Sequence, residues 1–173
     1  YRTALYEGYQ ELLKRPLNKG TAVRVCQALR GVDIDVRDSP GTKLVSGFDG
    51  SVIYTPPEGK DLLWSLLQNL DEYLYTDEDI DPLVKMAVMH YQFEAIHPFT
   101  DGNGRTGRIL NILYLLEKSL LELPCLYLSG YIIKHKKSYY ELLQKVTTSG
   151  EWENWIHYMI KAVEKTAMWT VLK

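Results

Sequence analysis

The sequence predicts an all-α domain from which one β-hairpin protrudes. Along most of the chain, apolar residues recur every three or four positions, which is the spacing of a helix with one buried face. Residues 43–55, KLVSGFDGSVIYT, instead combine β-branched and aromatic residues around Asp49-Gly50. That dipeptide is suited to a tight hairpin turn. We therefore expect helices throughout, interrupted by one hairpin.

The size and composition of the chain fit one globular domain. A chain of 173 residues buries about 70% of its surface on folding, which is enough for a hydrophobic core of its own. Hydrophobic residues make up 46% and charged residues 24%, which argues against disorder, collagen and coiled coil. We expect residues 1–173 to form a single domain. Because the first residue is Tyr1 rather than Met, we expect the chain to be a piece of a longer protein.

Two helices are predicted before the hairpin. Residues 1–14 place apolar side chains on one face and end before Pro16. Residues 21–30 do the same and end near Gly31, a residue common at helix C-termini. After the hairpin, Pro56-Pro57 separates it from the next helix.

The later helices are predicted from the same periodicity and from capping residues. Leucines recur over 61–75, and Asp61 is the predicted N-cap. Asp81-Pro82, a cap followed by proline at the first helical position, opens a helix through about Ile96. Another helix is predicted from Arg105 to about Lys118, and a long apolar stripe runs from 152 to 167.

Charge and cysteine content exclude several classes of protein. The 20 Lys and Arg against 22 Asp and Glu give a net charge of −2, which disfavours binding to duplex nucleic acid. No apolar run reaches the roughly 20 residues of a membrane span, and no signal peptide opens the chain. Cys26 and Cys125 lie far apart in apolar segments, so we expect reduced thiols in the core of a cytoplasmic protein.

One segment, 97–108 (HPFTDGNGRTGR), combines the features of an anion-binding site. It lies between two predicted helices, and Gly102 and Gly104 allow the backbone N–H groups to approach a ligand. The N-terminus of the second helix adds its positive dipole. Arg105 and Arg108 lie three positions apart and therefore on the same side of its first turn. The segment is suited to binding phosphate groups.

Two further side chains of this segment suggest a reaction. Asp101 is a hard oxygen ligand beside the anion site and suits Mg²⁺ shared with phosphates. His97 has an unperturbed pKa near neutrality, so it is the natural general base. Together these groups indicate phosphoryl or nucleotidyl transfer.

The segment resembles the Fic family motif, HxFx(D/E)GNGRxxR, and every specified position is filled. The stretches YTPPEG, DPLVKMAVMHYQFEAI and LYLSGYIIKHKKSYYELL are also similar to Fic proteins, so the resemblance covers about residues 1–165. It implies a Fic-type helical domain with a β-hairpin flap. It also implies a protein adenylyltransferase, which moves AMP from Mg-ATP to a Ser, Thr or Tyr hydroxyl of a target protein (AMPylation).

The resemblance assigns roles to the catalytic groups. His97 would take the proton from the attacking hydroxyl, and Asp101 would hold Mg²⁺ against the α- and β-phosphates. Phe99 would anchor the loop in the core. The flap at 43–55 would dock the target protein by strand addition.

The resemblance assigns the phosphate contacts to the next residues. Backbone N–H groups of Gly102, Asn103 and Gly104 would form the anion hole, with help from the Asn103 side chain. Arg105 and Arg108 would bind the β- and γ-phosphates. Phosphorylating relatives carry a basic residue at the position of Gly104, so glycine there favours nucleotidyl transfer.

The nucleobase pocket is less well specified by the sequence. Tyr131 and Tyr139 are the predicted walls of an adenine pocket. Related chains often carry Asn where this chain has His135, which leaves the preference for ATP over other nucleotides open.

Residues in and before this segment also match two other motifs. Residues 102–107 also match GxGxxG, but that dinucleotide fingerprint needs a preceding strand. Glu94-Ala95-Ile96-His97 matches the Glu-x-x-His of di-iron bundles, which need two copies. We expect His90 to be a hydrogen-bonded packing residue rather than a metal ligand.

Regulation and the exact reaction stay open at the level of sequence. Residues 3–8, TALYEG, match the (S/T)xxxE(G/N) string of the inhibitory helix in Fic proteins, but that helix usually lies further upstream. We therefore expect that Glu7 is not inhibitory and that the regulatory segment is missing. The alternatives to AMPylation are de-AMPylation, transfer of another phosphate-containing group, and a non-catalytic nucleotide-binding interaction module. A homo-oligomer is compatible with each.

Overall fold

The computed structural model describes residues 1–45, 50–76 and 79–172. Within these ranges the chain forms eight α-helices and one two-stranded antiparallel hairpin. The expected all-α architecture with a single protruding hairpin is confirmed.

The first two helices pack against each other at the start of the chain. Helix α1 spans Arg2–Leu12 and helix α2 spans Lys19–Arg30. The side chain of Asn18 opens α2 by accepting hydrogen bonds from the first-turn amides. Gly31 ends it in the left-handed conformation, at φ +68°. The predicted end of α2 is therefore confirmed, and the helix begins two residues earlier than expected.

The hairpin consists of β1 (Leu44–Val45) and β2 (Val52–Tyr54). Leu44 pairs with Tyr54, and Val45 pairs with Val52. The predicted turn at Asp49-Gly50 falls partly outside the described residues, because Asp49 is not among them.

Helices α3 and α4 follow the hairpin. Helix α3 spans Lys60–Tyr75, and Gly59 occupies its N-cap, so the predicted cap at Asp61 is wrong. Asp61 lies instead in the first turn, where a negative charge is favoured by the helix dipole. Helix α4 spans Pro82–Ile96, and the Asp81 side chain accepts a hydrogen bond from the Leu83 amide at 2.8 Å, as predicted.

Helix α5 (Asn103–Glu117) lies at the centre of the molecule. Every side chain from Ile109 to Leu115 is buried, and the helix contacts α1, α2 and α4. A helix that is buried on all sides belongs in the core. It lies close to α4 at Gly107, where an added Cβ would lie 2.7 Å from Oε1 of Glu94. The start of α5 is two residues earlier than predicted, so the motif's Asn103 is already helical.

Three helices complete the chain. Helices α6 (Leu128–Lys134) and α7 (Lys136–Ser149) were not predicted from the sequence. Helix α8 (Trp152–Val171) carries the predicted apolar stripe. The Trp155 indole N–H donates to the Ala87 carbonyl at 2.8 Å and joins α8 to α4.

The two cysteines differ in their surroundings. Cys26 is buried in the core as expected, whereas Cys125 is exposed, so the prediction of a core thiol there is wrong. Cys125 lies in the irregular connection between α5 and α6, where its apolar neighbours do not form a helix face. Among the described residues, no helix combines the length and hydropathy needed to cross a membrane.

Candidate active site

His97 lies at the C-cap of α4, in the left-handed conformation with φ +49°. Its N–H donates to the Phe93 carbonyl at 3.1 Å, which closes the last turn of the helix. The loop that follows is anchored by Phe99, whose side chain is fully buried against Phe93. The sharp reversal at His97 therefore starts the motif loop directly from the helix end.

The environment of His97 favours the neutral imidazole. Burial lowers its pKa from 6.5. The nearby Glu94 main chain partly opposes this effect, and the Arg37 charge adds to it. The Nδ1 atom is buried and has no hydrogen-bond partner of standard geometry in the part of the chain that the structure describes. A neutral ring at physiological pH can accept a proton, as the proposed general base must.

The Asn103 side chain closes the motif loop on itself. Its Oδ1 accepts from the Phe99 N–H at 2.9 Å, and its Nδ2 donates to the Phe99 carbonyl at 2.7 Å. The residue is 2% exposed. Both polar atoms therefore bond within the loop, and a role of this side chain in holding phosphate stays a prediction.

The backbone at the start of α5 provides the candidate anion site. Gly102 has φ +93°, and an added Cβ would lie 3.2 Å from the Cys26 sulfur. Its N–H donates to Asp101 Oδ1 at 2.6 Å, so this amide is already engaged. The amides of Asn103 and Gly104 belong to the first turn of α5, where N–H groups have no intrahelical acceptor. An anion would be held by these two amides and the helix dipole.

The two motif arginines differ in their contacts. Arg105 is exposed and pairs with Asp101 at 3.4 Å. Arg108 is half-buried, and its Nε donates to the Ser129 hydroxyl at 3.0 Å. The Ser129 hydroxyl in turn donates to Tyr1 Oη at 3.4 Å. Sequence reasoning did not single out Ser129, although it lies in the stretch LYLSGYI that resembles Fic proteins.

Asp101 lies at the exposed rim of this site. Its carboxylate is 54% exposed and pairs with Arg30 and Arg105. Among the described residues, no cluster of three or more His, Cys, Asp or Glu side chains could hold a metal ion. A single exposed carboxylate nevertheless fits Mg²⁺, which takes one or two carboxylates together with substrate phosphates and water. Arg30, which the sequence did not indicate, is the residue that would have to release Asp101.

A mostly apolar cavity lies between the hairpin, α4 and α7. It borders Glu94 and Ala95, in the last turn of α4 before His97. The hairpin contributes three wall residues, Leu44, Ile53 and Tyr54, and α7 contributes five, Tyr140, Leu143, Gln144, Thr147 and Thr148. A concave apolar surface with a few polar groups is typical of small-molecule sites.

The two tyrosines predicted to face a nucleobase do not line this cavity. Tyr139 is 3% exposed, packs against Trp155 and bonds through its hydroxyl to His90 Nε2 at 2.9 Å. Its ring belongs to the core, and His90 is the packing residue expected. Tyr131 stacks on His135 at 4.2 Å and lines a separate groove beside α8. Tyr140, the neighbour of Tyr139 on the other face of α7, lines the cavity instead.

Glu94 connects the cavity with the anion site. Its Oε1 is buried without a hydrogen-bond partner among the described residues. Burial raises its pKa to about 7, while the positive charge of Arg108 acts in the opposite direction. Both carboxylate oxygens lie within 4 Å of the position that a Cβ on Gly104 would take. The sequence had raised Glu94 only as part of a di-iron pattern.

The competing interpretations of the motif do not fit this geometry. The GxGxxG match follows helix α4 rather than a strand, so the dinucleotide fold is excluded. Glu7, at the matched inhibitory position, is exposed on α1, while the Arg108 guanidinium bonds Ser129.

The fold and the motif loop together define a known class of protein. The Fic/DOC family model matches residues 10–115, and the chain belongs to this family.

Curated relatives carry names that agree with this class. A probable protein adenylyltransferase of Aquifex aeolicus is 44% identical over 57 residues, which is 33% of this chain and 18% of that protein. Protein adenylyltransferase Fic of Drosophila mojavensis is 30% identical over 112 residues, 64% of this chain and 21% of the relative. The chain thus spans about a fifth of the length of these relatives.

Solved structures share the fold over nearly the whole chain. A Fic family protein from Desulfovibrio desulfuricans superposes with a TM-score of 0.75 and 25% identity, covering 96% of this chain and 51% of its own. Fic-1 from C. elegans gives a TM-score of 0.67 at 23% identity, covering 98% of this chain and 49% of its own.

Proposed function

We propose that this chain is a protein adenylyltransferase that transfers AMP from Mg-ATP to a Ser, Thr or Tyr hydroxyl of a target protein. One observation carries the proposal: a histidine whose pKa is lowered by burial lies six residues before a helix start whose first-turn amides and arginines suit phosphate. The names of the curated relatives support the same activity.

The nucleotide would bind across the two parts of the site. Its phosphates would lie at the start of α5, against the amides of Asn103 and Gly104 and beside Arg105 and Arg108. Its base would enter the cavity between the hairpin and α7, with the Tyr140 ring as one wall. In this arrangement the α-phosphate would lie next to His97.

The chemistry is a nucleotidyl transfer. His97 accepts the proton of the target hydroxyl as its oxygen attacks the α-phosphorus. The bond from the α-phosphorus to the bridging oxygen of the β-phosphate breaks, and pyrophosphate leaves. The first-turn amides of α5 and the two arginines stabilise the charge that develops on the phosphates.

Asp101 would hold the magnesium ion of Mg-ATP. When bound, Mg²⁺ supplies neutralisation of charge on the phosphate oxygens. Asp101 is a suitable ligand because its carboxylate is exposed at the rim of the phosphate site, where two arginines now pair with it.

The target would dock on the hairpin. Val45 and Val52 are about half exposed, and a short exposed strand can pair with an extended peptide. Such pairing would present a hydroxyl to His97 without requiring a particular target sequence.

We also propose a cytoplasmic location, since the described cysteines are free thiols.

The experiment compares two labels on the same substrate. The protein is incubated with a cell lysate and ATP labelled at either the α- or the γ-phosphate. We expect protein-bound label from α-labelled ATP only, and a mass increase of one AMP on hydroxyl-bearing peptides. The variant His97→Ala removes the general base and should lower the rate roughly 10²–10⁴-fold while leaving ATP binding intact.

Other outcomes of these measurements would identify the alternatives to AMPylation. Label from γ-labelled ATP indicates phosphoryl transfer. Loss of AMP from a modified protein indicates de-AMPylation. ATP binding by calorimetry with no transfer to any protein in the lysate indicates a nucleotide-binding interaction module.

A further inference from the structure

At the C-terminal end of α4, the carbonyls of Ala95, Ile96 and the C-cap residue His97 each accept a hydrogen bond from a side chain outside the helix. The last carbonyls of a helix have no intrahelical donor. The Tyr54 hydroxyl donates to the Ala95 carbonyl at 2.9 Å. The Arg37 guanidinium donates to Ile96 at 3.5 Å and to His97 at 2.8 Å. The helix end that carries the proposed general base is therefore held by two side chains that sequence reasoning did not assign.

Arg37 is an unusual residue in this position. It is 3% exposed, and its guanidinium donates to main-chain carbonyls rather than to a carboxylate. Burial lowers its pKa, and Nη1 is buried without a hydrogen-bond partner among the described residues. The Glu58 charge opposes this lowering of the pKa, and a cation at a helix C-terminus is favoured by the dipole, but burying a guanidinium that donates to carbonyls is still costly. A residue kept at this cost is a candidate for a specific positional role.

The contacts of Arg37 fall on both sides of the peptide bond after His97. Its Nε binds the His97 carbonyl, and its own main-chain N–H donates to the Pro98 carbonyl at 2.8 Å. His97 has φ +49°, a conformation that is uncommon for residues other than glycine. Such backbone persists only when its surroundings determine it. Arg37 supplies two of the bonds that do so.

The same guanidinium reaches the base of the hairpin. Its Nη2 donates to the Pro57 carbonyl at 2.5 Å, three residues after β2 ends at Tyr54. Tyr54 contacts α4 independently through the Ala95 carbonyl. The base of the hairpin and the backbone of His97 are thus joined through one side chain.

We infer that Arg37 is a positioning residue: it fixes the main chain of His97 and ties the base of the target-docking hairpin to it. The inference rests on the proposed AMP transfer, in which the distance between the docked hydroxyl and His97 sets the rate. Arg37 contacts main-chain carbonyls rather than the His97 imidazole, and its charge also lowers the pKa of that imidazole. A misplacement of about 1 Å can cost around 10²-fold in rate.

The kinetic test compares Arg37→Met, Arg37→Lys and the surface control Arg15→Met, whose arginine pairs with Glu11 on α1. We expect Arg37→Met to lower kcat for AMP transfer about 10²-fold while the Kd for ATP changes less than about twofold. Arg37→Lys keeps the charge and loses the fork of donors, so it should recover only part of kcat. Arg15→Met should match the wild type.

A kcat for folded Arg37→Met within about threefold of the wild type would overturn the inference. So would a parallel loss of ATP affinity, because it would show a general disturbance of the site. If Arg37→Met does not fold, the comparison of Arg37→Lys with the wild type decides by the same two measurements.

A second measurement is independent of activity. Hydrogen exchange followed by mass spectrometry should show faster exchange in Arg37→Met over residues 96–102 and 52–58 together, with α8 unchanged. Tyr54→Phe, which removes one hydroxyl, should give a smaller change at the same two segments. Unchanged exchange at 96–102, or a change confined to the hairpin, would refute the inference that Arg37 joins these two segments. If the wild type transfers no AMP, the proposed function fails, and this exchange experiment still decides whether Arg37 holds the two segments.

Discussion

Replacing Glu94 by glutamine tests whether ionisation of this buried carboxyl group lowers the free energy of unfolding. Glu94 lies between the cavity and the candidate anion site. Glutamine keeps the shape of the side chain but cannot ionise. Oε1 of Glu94 is buried with no hydrogen-bond partner in the described ranges of the chain, and the pKa of the group is raised to about 7. The charged form is therefore disfavoured in the folded protein, while the unfolded chain ionises near the ordinary value.

The sign and size of the effect follow from the two pKa values. The folded protein binds the proton more tightly, so Glu94 lowers the stability progressively as the pH rises from about 4.5 to 7. At about 1.4 kcal/mol per pKa unit, the full penalty is roughly 3 kcal/mol above pH 7. Glu94→Gln should therefore unfold at nearly the wild-type free energy at pH 5. At pH 8 it should be about 2–3 kcal/mol more stable than the wild type.

Urea denaturation of both proteins at pH 5, 6, 7 and 8 measures this difference. Comparing variant and wild type at each pH cancels the contribution of other titrating groups, including His90, whose pKa burial lowers to about 3. Glu122→Gln, at an exposed position, is the matched control and should show no pH-dependent difference. A constant difference between Glu94→Gln and the wild type across this range would refute the assignment of a raised pKa to Glu94.

Three further predictions follow from the site. Ser129→Ala removes the acceptor of Arg108 Nε and should weaken ATP binding several-fold, by about 1 kcal/mol in calorimetry, whereas Ser129→Thr should bind as the wild type does. Gly107→Ala places a Cβ 2.7 Å from Glu94 Oε1 and should lower the free energy of unfolding by about 1–3 kcal/mol; a variant as stable as the wild type would show that α4 and α5 can separate. Burial lowers the pKa of His97, so the rate of AMP transfer should fall on the acid side with an apparent pKa below 6.5, and a midpoint above 6.5 would argue against His97 as the base.

The sequence predicted the long helices well because each carries a clear local signal. Asp81-Pro82 and Gly31 mark helix ends through interactions within a few residues, and both were read correctly. Asp61 was misread because a short polar residue at a helix start suits either the cap or the first turn. The choice between them was made by the conformation of Gly59.

The site was predicted in its contiguous part and missed where distant segments meet. The loop at 97–108 stands in one stretch of sequence, so its residue types were visible together. Ser129, Arg30 and Arg37 reach this loop from other elements, and no local pattern indicates a contact across 21, 71 or 60 residues. Tyr139 and Tyr140 are adjacent on α7 and therefore point in different directions. Tyr139 is buried in the core and Tyr140 lines the cavity, and the local sequence does not show which of the two is buried.

The hairpin forms one wall of the apolar cavity proposed for the nucleobase and is also the proposed docking edge for the target. Leu44, Ile53 and Tyr54 face the cavity, while Val45 and Val52 are exposed on the same two strands. A ligand that rests on one side of so small an element restricts the motion of the other side. The two binding events are then thermodynamically linked: whatever factor the nucleotide adds to the affinity for the target, the target adds to the affinity for the nucleotide. Release of pyrophosphate, which leaves only AMP on the modified hydroxyl, would loosen both together and free the hairpin for the next target.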